Sequence, residues 1–245
     1  MEGAPERSIG GTVAGIEASA PEQVRPSRCA PIAVRHRAGV PEGGRGRDYE
    51  LVISPEAQDH DIVVEGFDPF PGIARFLLDN AGAWLSPPDL ARLFGAAFFA
   101  FAPSARRAAV CLKAGASQAH AWLARPSFGV EHNHFGRVDI LYEDETLGLY
   151  VLAVAPGARI PPHFHRVMAE SELVLDAGLL QQGRPVARGA AFRWPKGFIH
   201  EYRNPTRTER RILCLDRPPF IPDDEVEVSG PVELRPLAPA GHYFV

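Results

Sequence analysis

Lysine is nearly missing from this sequence: Lys113 and Lys196 are the two lysines among 26 basic residues, which face 30 acidic ones for a formal net charge of −4. That balance offers no basic excess to a polyanion, so nucleic acid is not an expected partner. The preference for arginine is what a GC-rich coding sequence produces and points to no function. Cysteine is almost as sparse. Cys29, Cys111 and Cys214 are odd in number, far apart and never in a C-x-x-C pair, which excludes a disulfide framework and a thiolate metal site. Long apolar runs are missing too: none approaches the ~20 residues a bilayer span needs, so no membrane association is expected. Residues 1–30 lack both aromatics and the apolar core of a signal peptide, carrying Glu2 and Glu6 instead. A disordered tail is expected there, and a cytoplasmic location for the chain.

What is present is enough for a real core. Hydrophobic residues make up 45% of 245, a length above the ~100–150 residues usual for one domain, so two units are expected. The first spans 31–131. Ile32-Ala-Val-Arg-His-Arg and Tyr49-Glu-Leu-Val-Ile-Ser flank a glycine-rich turn and read as a β-hairpin. After a short extended run at 61–64, apolar residues at Ile73, Phe76 and Leu77, and again at Leu90, Leu93, Phe94, Ala97 and Phe98, recur at helical spacing. Pro87-Pro88-Asp89 suits the first turn of the second helix, where proline is tolerated and an acid meets the positive helix end. Residues 108–113 and 127–131 read as strands, giving an α+β unit of order β-β-α-α-β-β.

From 138 to 222 helical spacing disappears. Short strands at 149–155, 171–175 and 212–215 alternate with Gly and Pro turns, the pattern of an all-β barrel or sandwich. Residues 223–245 are left as a C-terminal extension. Within the barrel segment, His163 and His165 are two apart and so share one face of a strand, with Glu170 arriving after a short connection. A third histidine, His200, follows a Pro195-Lys-Gly197 turn. Three imidazoles and a carboxylate suit one divalent ion, Fe, Mn, Zn, Ni or Cu, with coordination positions left open. His132 and His134 form another H-x-H near the junction, without a third ligand at metal spacing. Phe192, Trp194 and Tyr202 read as core residues that could also wall a pocket.

These stretches resemble both motifs of the cupin superfamily. Gly157, His163, His165 and Glu170 match the first motif, whose closing glycine is displaced by one, to Gly178; Gly189, Pro195, Gly197, His200 and Asn204 match the second at every position. The resemblance implies a jelly-roll barrel, a double-stranded β-helix, with His163, His165, Glu170 and His200 as metal ligands. Glu172 is an alternative to Glu170. The first unit resembles, over three short stretches, a tunnelling fold of the dihydroneopterin aldolase kind: Gly39-Val-Pro-Glu42, Leu112-Lys113-Ala-Gly and Phe128-Gly-Val-Glu131. The likeness implies a site at Glu42 and Lys113, but one that has degenerated, since the family's tyrosine falls at Phe67 and its pterin-binding glutamate is replaced by the turn ending at Asp89. Tunnelling folds assemble into rings, so a homo-oligomer is implied.

The leading expectation is a metal-dependent cupin enzyme for a small polar metabolite that chelates the metal, with Glu172, Arg193 and Tyr202 as proton-moving candidates by proximity in sequence. Two others stand beside it: a non-catalytic sensor cupin with an oligomerising first domain, and a degenerate aldolase or epimerase in that domain. Oxygenase, isomerase and lyase chemistry are not separated by these ligands.

Overall fold

In a computed structural model, the structure describes residues 32–36, 47–53, 70–103, 105–114 and 117–245. The tail, the 61–64 run, Gly39, Glu42 and Phe67 lie outside the described residues. Strands β1 (Ile32–His36) and β2 (Arg47–Ile53) pair antiparallel, and helices α1 (Phe70–Ala81) and α2 (Pro87–Phe101) form the crossover to β3 (Ala105–Ala114), which lies parallel to β2. Strand β4 (Ser117–Ala124) closes a four-stranded sheet of order β1-β2-β3-β4. Helix α2 begins where the sequence places it. Ser86 is the N-cap, its hydroxyl accepting from the Asp89 N–H, and Pro87 occupies the first turn, where its missing N–H costs nothing.

The remaining strands build two antiparallel sheets. One has the order β11-β10-β13-β8-β15, the other β16-β12-β9-β14-β7-β6-β5. They comprise β5 (Gly129–Asn133), β6 (Gly136–Glu143), β7 (Gly148–Val154), β8 (Arg159–His165), β9 (Ala169–Val174), β10 (Leu180–Gln181), β11 (Arg184–Pro185), β12 (Ala190–Trp194), β13 (His200–Arg203), β14 (Arg210–Arg217), β15 (Glu225–Glu227) and β16 (Gly241–His242). This is the antiparallel β-sandwich that the cupin motifs imply, and both motifs fall on it. Gly189, at φ 84°, turns the chain into β12 in a conformation that favours glycine, and a Cβ there would strike the Tyr243 carbonyl oxygen.

Two expectations change. The strand at 127–131, assigned to the first unit, is found as β5 and pairs with β6, because Glu131 stands opposite Val138 and Gly129 opposite Ile140 in a tight hairpin. The place of the first unit's last strand is taken by β4, whose Ala-rich sequence carries no clear alternation. The C-terminal extension, for its part, belongs to the sandwich: β15 pairs with β8 and β16 with β12.

The large sheet alternates between two cores. On β7, Leu149, Val151 and Ala153 point outward, while Tyr150, Leu152 and Val154 point between the sheets; β14 does the same with Leu213 and Leu215 against Ile212, Cys214 and Asp216. The outward set joins Phe70, Ile73, Phe76, Leu77, Leu93, Phe94 and Phe98 of the helices and Leu51, Ala108 and Val110 of the first sheet in one continuous core. The helices are thus the middle of three layers. Arg193, pointing outward from β12, reaches into this seam and donates to Asn80 Oδ1 at 2.7 Å and to the Asp79 carbonyl on α1. No helix among the described residues is long and apolar enough to cross a membrane.

Candidate metal centre

The inward face holds the four residues that the motif spacing selects. His163 and His165 sit on β8, His200 on β13 directly opposite His163, and Glu170 on β9, next to Trp194 of β12 on one side and Asp216 of β14 on the other. All four are buried, and one donor atom from each lies within 4.8 Å of the others. Four donors around an ion at about 2.1 Å are separated by 3 to 4.2 Å in ordinary geometries, so the cluster has the right dimensions for one cation.

Backbone carbonyls set which nitrogen of two rings faces the centre. His163 Nδ1 lies 2.8 Å from Pro161 O and His200 Nδ1 3.1 Å from Phe198 O. A carbonyl only accepts, so each Nδ1 carries a proton and each Nε2 is the nitrogen turned to the centre, with a lone pair at His163 and a hydrogen bond to Glu170 at His200. His200 Nε2 lies 2.9 Å from Glu170 Oε2, and His165 Nε2 3.4 Å from the same oxygen. Trp194 fixes the plane of His200 by stacking on it, ring centroids 4.5 Å apart and 11° between planes. The indole N–H donates to Glu172 Oε2. Trp194, read from the sequence as a core residue, therefore orients two groups of the site.

Electrostatics follow from burial. Glu170 is pushed up by burial, but its contacts with His165 and His200 outweigh this and hold it well below the usual carboxylate range, the state a ligand needs. Burial, with His200 beside it, takes His163 down to about 4, so its ring is neutral at neutral pH. Glu172 goes the other way, to about 7, through burial and the Glu170 charge. Asp216, buried beside Glu170, is raised well above its ordinary value, and so is the Cys214 thiol by burial and Asp216. Cys214 Sγ lies 3.0 Å from Glu170 Oε1 and 2.9 Å from Asp216 Oδ1.

Three of the four donor residues, His163, His165 and Glu170, open on a cavity of about 130 Å³ that Glu172 also lines, with Tyr150, Met168 and Phe220 on its apolar wall. Of the proton-moving candidates, Glu172 lines this cavity. Tyr202 is buried in the interior apolar cluster, beside Glu172 but outside the cavity lining, and Arg193 does not reach the cavity, since an odd offset from Trp194 puts it on the outer face. His132 and His134 are exposed. Lys113 is placed next to the end of β3, in a different sheet from the ligands. The motif's Asn204 is buried, its amide donating to the carbonyls of Val154, Ala155 and Thr208.

The sequence missed two contributors, both from the extension. Asp224 accepts the backbone N–H groups of Arg166, Val167 and Met168 at 2.8–3.0 Å, just past His165, and its Oδ2 lies 3.8 Å from His165 Nδ1. Glu225 stands opposite His165 across the β8–β15 ladder and lines the cavity. Three-residue strands such as β15 carry too short a period to read.

No family profile and no curated protein matches this chain. Solved structures do. A protein from Planctomyces limnophilus aligns at 21% identity and TM-score 0.33, over 40% of this chain and 87% of its own. KdgF from Halomonas sp. aligns at 20% identity and TM-score 0.31, over 36% and 81%. A sugar phosphate isomerase of the cupin superfamily, from Silicibacter pomeroyi, aligns at 22% identity and TM-score 0.30, over 33% of this chain and 59% of its own.

Proposed function

We propose that the chain is a metal-dependent cupin enzyme that acts on a small polar metabolite, holding one divalent ion through His163, His165, Glu170 and His200. The observation that carries the reading is the convergence of these four donors, with two Nε2 atoms presented by carbonyl-held rings, beside a cavity that His163, His165 and Glu170 line. A bound ion supplies Lewis acidity to an oxygen of the metabolite. The chain's own groups do the rest. Tyr150, Met168 and Phe220 exclude water from the apolar wall, and Glu172, steadied by Trp194, is the carboxyl placed to take or return a proton within the cavity. For the first sheet and its helices we propose a structural role, including assembly into homo-oligomers, rather than aldolase chemistry at Glu42 and Lys113. Its β-β-α-α-β-β order is the tunnelling-type feature behind that reading.

The test is elemental analysis of untagged protein beside the His163→Ala, His165→Ala variant. Near one equivalent of a transition metal in the wild type and almost none in the folded variant supports the reading. A wild type that stays metal-free after reconstitution removes it, and a sensor barrel becomes the account to pursue.

A further inference from the structure

The cavity beyond the ligands is walled by carboxyl groups. Glu131, Glu143, Glu170, Glu172, Asp216 and Glu225 line it, and no lysine or arginine does. Glu170 belongs to the ligand set, and Glu172 and Asp216 are buried behind it. Glu131, Glu143 and Glu225 form the rim, and among the described residues none of the three makes an ion pair with lysine or arginine.

One of these rim residues is fixed through its carboxylate and another through its backbone. Glu143 Oε1 accepts from the Tyr150 hydroxyl at 2.6 Å, and that hydroxyl in turn accepts from the Phe220 N–H at 3.0 Å. Glu225 is held by the β8–β15 ladder opposite His165. Aromatic faces accompany them, since Phe135, Tyr150 and Phe220 line the same space. Carboxylates beside aromatic rings are the surroundings in which an ammonium group is held by charge-assisted hydrogen bonds and by ring faces. An anionic ligand meets the opposite: like charges at the rim and no basic side chain to offset them.

We propose that this cavity selects a small amine bearing a hydroxyl or second amine, with the cationic nitrogen received by Glu143 and Glu225 and the other polar group directed to the ligand set. The proposal rests on the metal-site reading for its inner half alone. The outer half stands on the rim, and it names a substrate class: amino alcohols or diamines rather than carboxylates or phosphate esters.

Ethanolamine and glycolate make a matched pair, each a hydroxyl on two carbons, one ending in ammonium and the other in carboxylate. Calorimetric titration of each into metal-loaded protein at neutral pH is expected to show ethanolamine binding about tenfold or more tightly than glycolate. The Glu143→Gln, Glu225→Gln double variant is expected to lose about tenfold in ethanolamine affinity while its metal content stays at the wild-type value. Glycolate binding as tightly as ethanolamine, or neither compound binding, overturns the proposal. If the wild type takes up no metal, the same pair is titrated into metal-free protein; a retained preference for ethanolamine then upholds the amine proposal while the metal reading falls, and a lost preference ends both.

Discussion

At the scale of single residues, what the motifs specify is a set of roles, and Asn204 shows how far such a role extends beyond its position in a pattern. Its amide donates to three carbonyls, and its Oδ1 accepts the Thr206 N–H at 3.0 Å and hydroxyl at 2.7 Å, all at zero exposure. Asn204→Ala leaves several buried backbone groups without partners, and a loss of roughly 2–4 kcal/mol is expected in urea unfolding. An unchanged midpoint would show that water replaces the amide. Asp176 gives a pH-dependent case. Burial pushes its carboxyl up, but Arg211, donating from Nε at 2.8 Å, from Nη2 and from its backbone N–H, outweighs this and holds it below its ordinary value. A carboxylate lowered in the folded state contributes stability above its unfolded value, about pH 4, and loses it as pH falls through the folded value. Thermal unfolding of Asp176→Asn beside the wild type is therefore expected to show a gap near neutrality that narrows on acidification below about pH 4. A gap independent of pH would assign the difference to packing.

At the scale of elements, legibility depended on how local each signal is. The four converging donors were readable because an H-x-H pair on one strand and a Pro-x-Gly turn before the next are short-range patterns, and the helices because eight apolar positions recur every three or four residues. The affiliation of β5 was not readable: its alternation says that it is a strand but not which sheet it joins. Arg193 was misjudged for a related reason, since closeness in sequence to His200 does not reveal the face of β12. The extension was missed because β15 is short and Asp224 lies in the single helical turn before it. By gathering three N–H groups, Asp224 fixes the loop that leaves His165 and sets a carboxylate near that ring. Asp224→Ala is expected to weaken metal binding by about 10–100-fold while the β-sheet circular dichroism is kept. Competition with a chelator dye reads this directly, and an unchanged affinity would limit Asp224 to holding the loop.

A second prediction at this scale concerns α1 and the C-terminal segment. The segment returns across the helix layer, where the Tyr243 hydroxyl donates to Asp79 Oδ2 at 3.0 Å and its ring meets Phe76 edge to face at 5.6 Å. At Gly72 the segment's backbone packs against α1, and a Cβ there would enter the Phe244 carbonyl. Alanine in a helix is worth about 1 kcal/mol over glycine. Gly72→Ala is expected to destabilise the full chain but to stabilise one ending at His242, where the obstruction is gone. The same sign in both backgrounds, measured by urea unfolding, would refute this contact.

At the scale of the molecule, the sequence suggested two units, and the packing joins them. Leu213 and Leu215 on the barrel, Phe94 and Phe98 on α2, and Val110 on β3 share one core that buries most of both helices, with Arg75 and Arg92 among the residues left to water. Separating the parts would expose the outward apolar residues of β7, β9 and β14 together with both helices, far more than a polar linker between independent domains conceals. Unfolding is therefore expected to be a single transition for everything between α1 and β16. Phe98, fully buried and edge to face with Phe70 at 5.2 Å, is the place to test it. Phe98→Ala is expected to cost about 3–5 kcal/mol. The loss should appear equally in fluorescence from Trp194, buried beside His200 on the far side of the sheet, and from Trp84, exposed beyond α1 beneath the Arg217 guanidinium, when each is kept as the sole tryptophan. Coincident transitions at both probes make the three layers one folding unit. A Trp194 transition unmoved by Phe98→Ala would mean that the barrel stands without the layers outside it, and that the candidate metal centre does not depend on the helix layer for its stability.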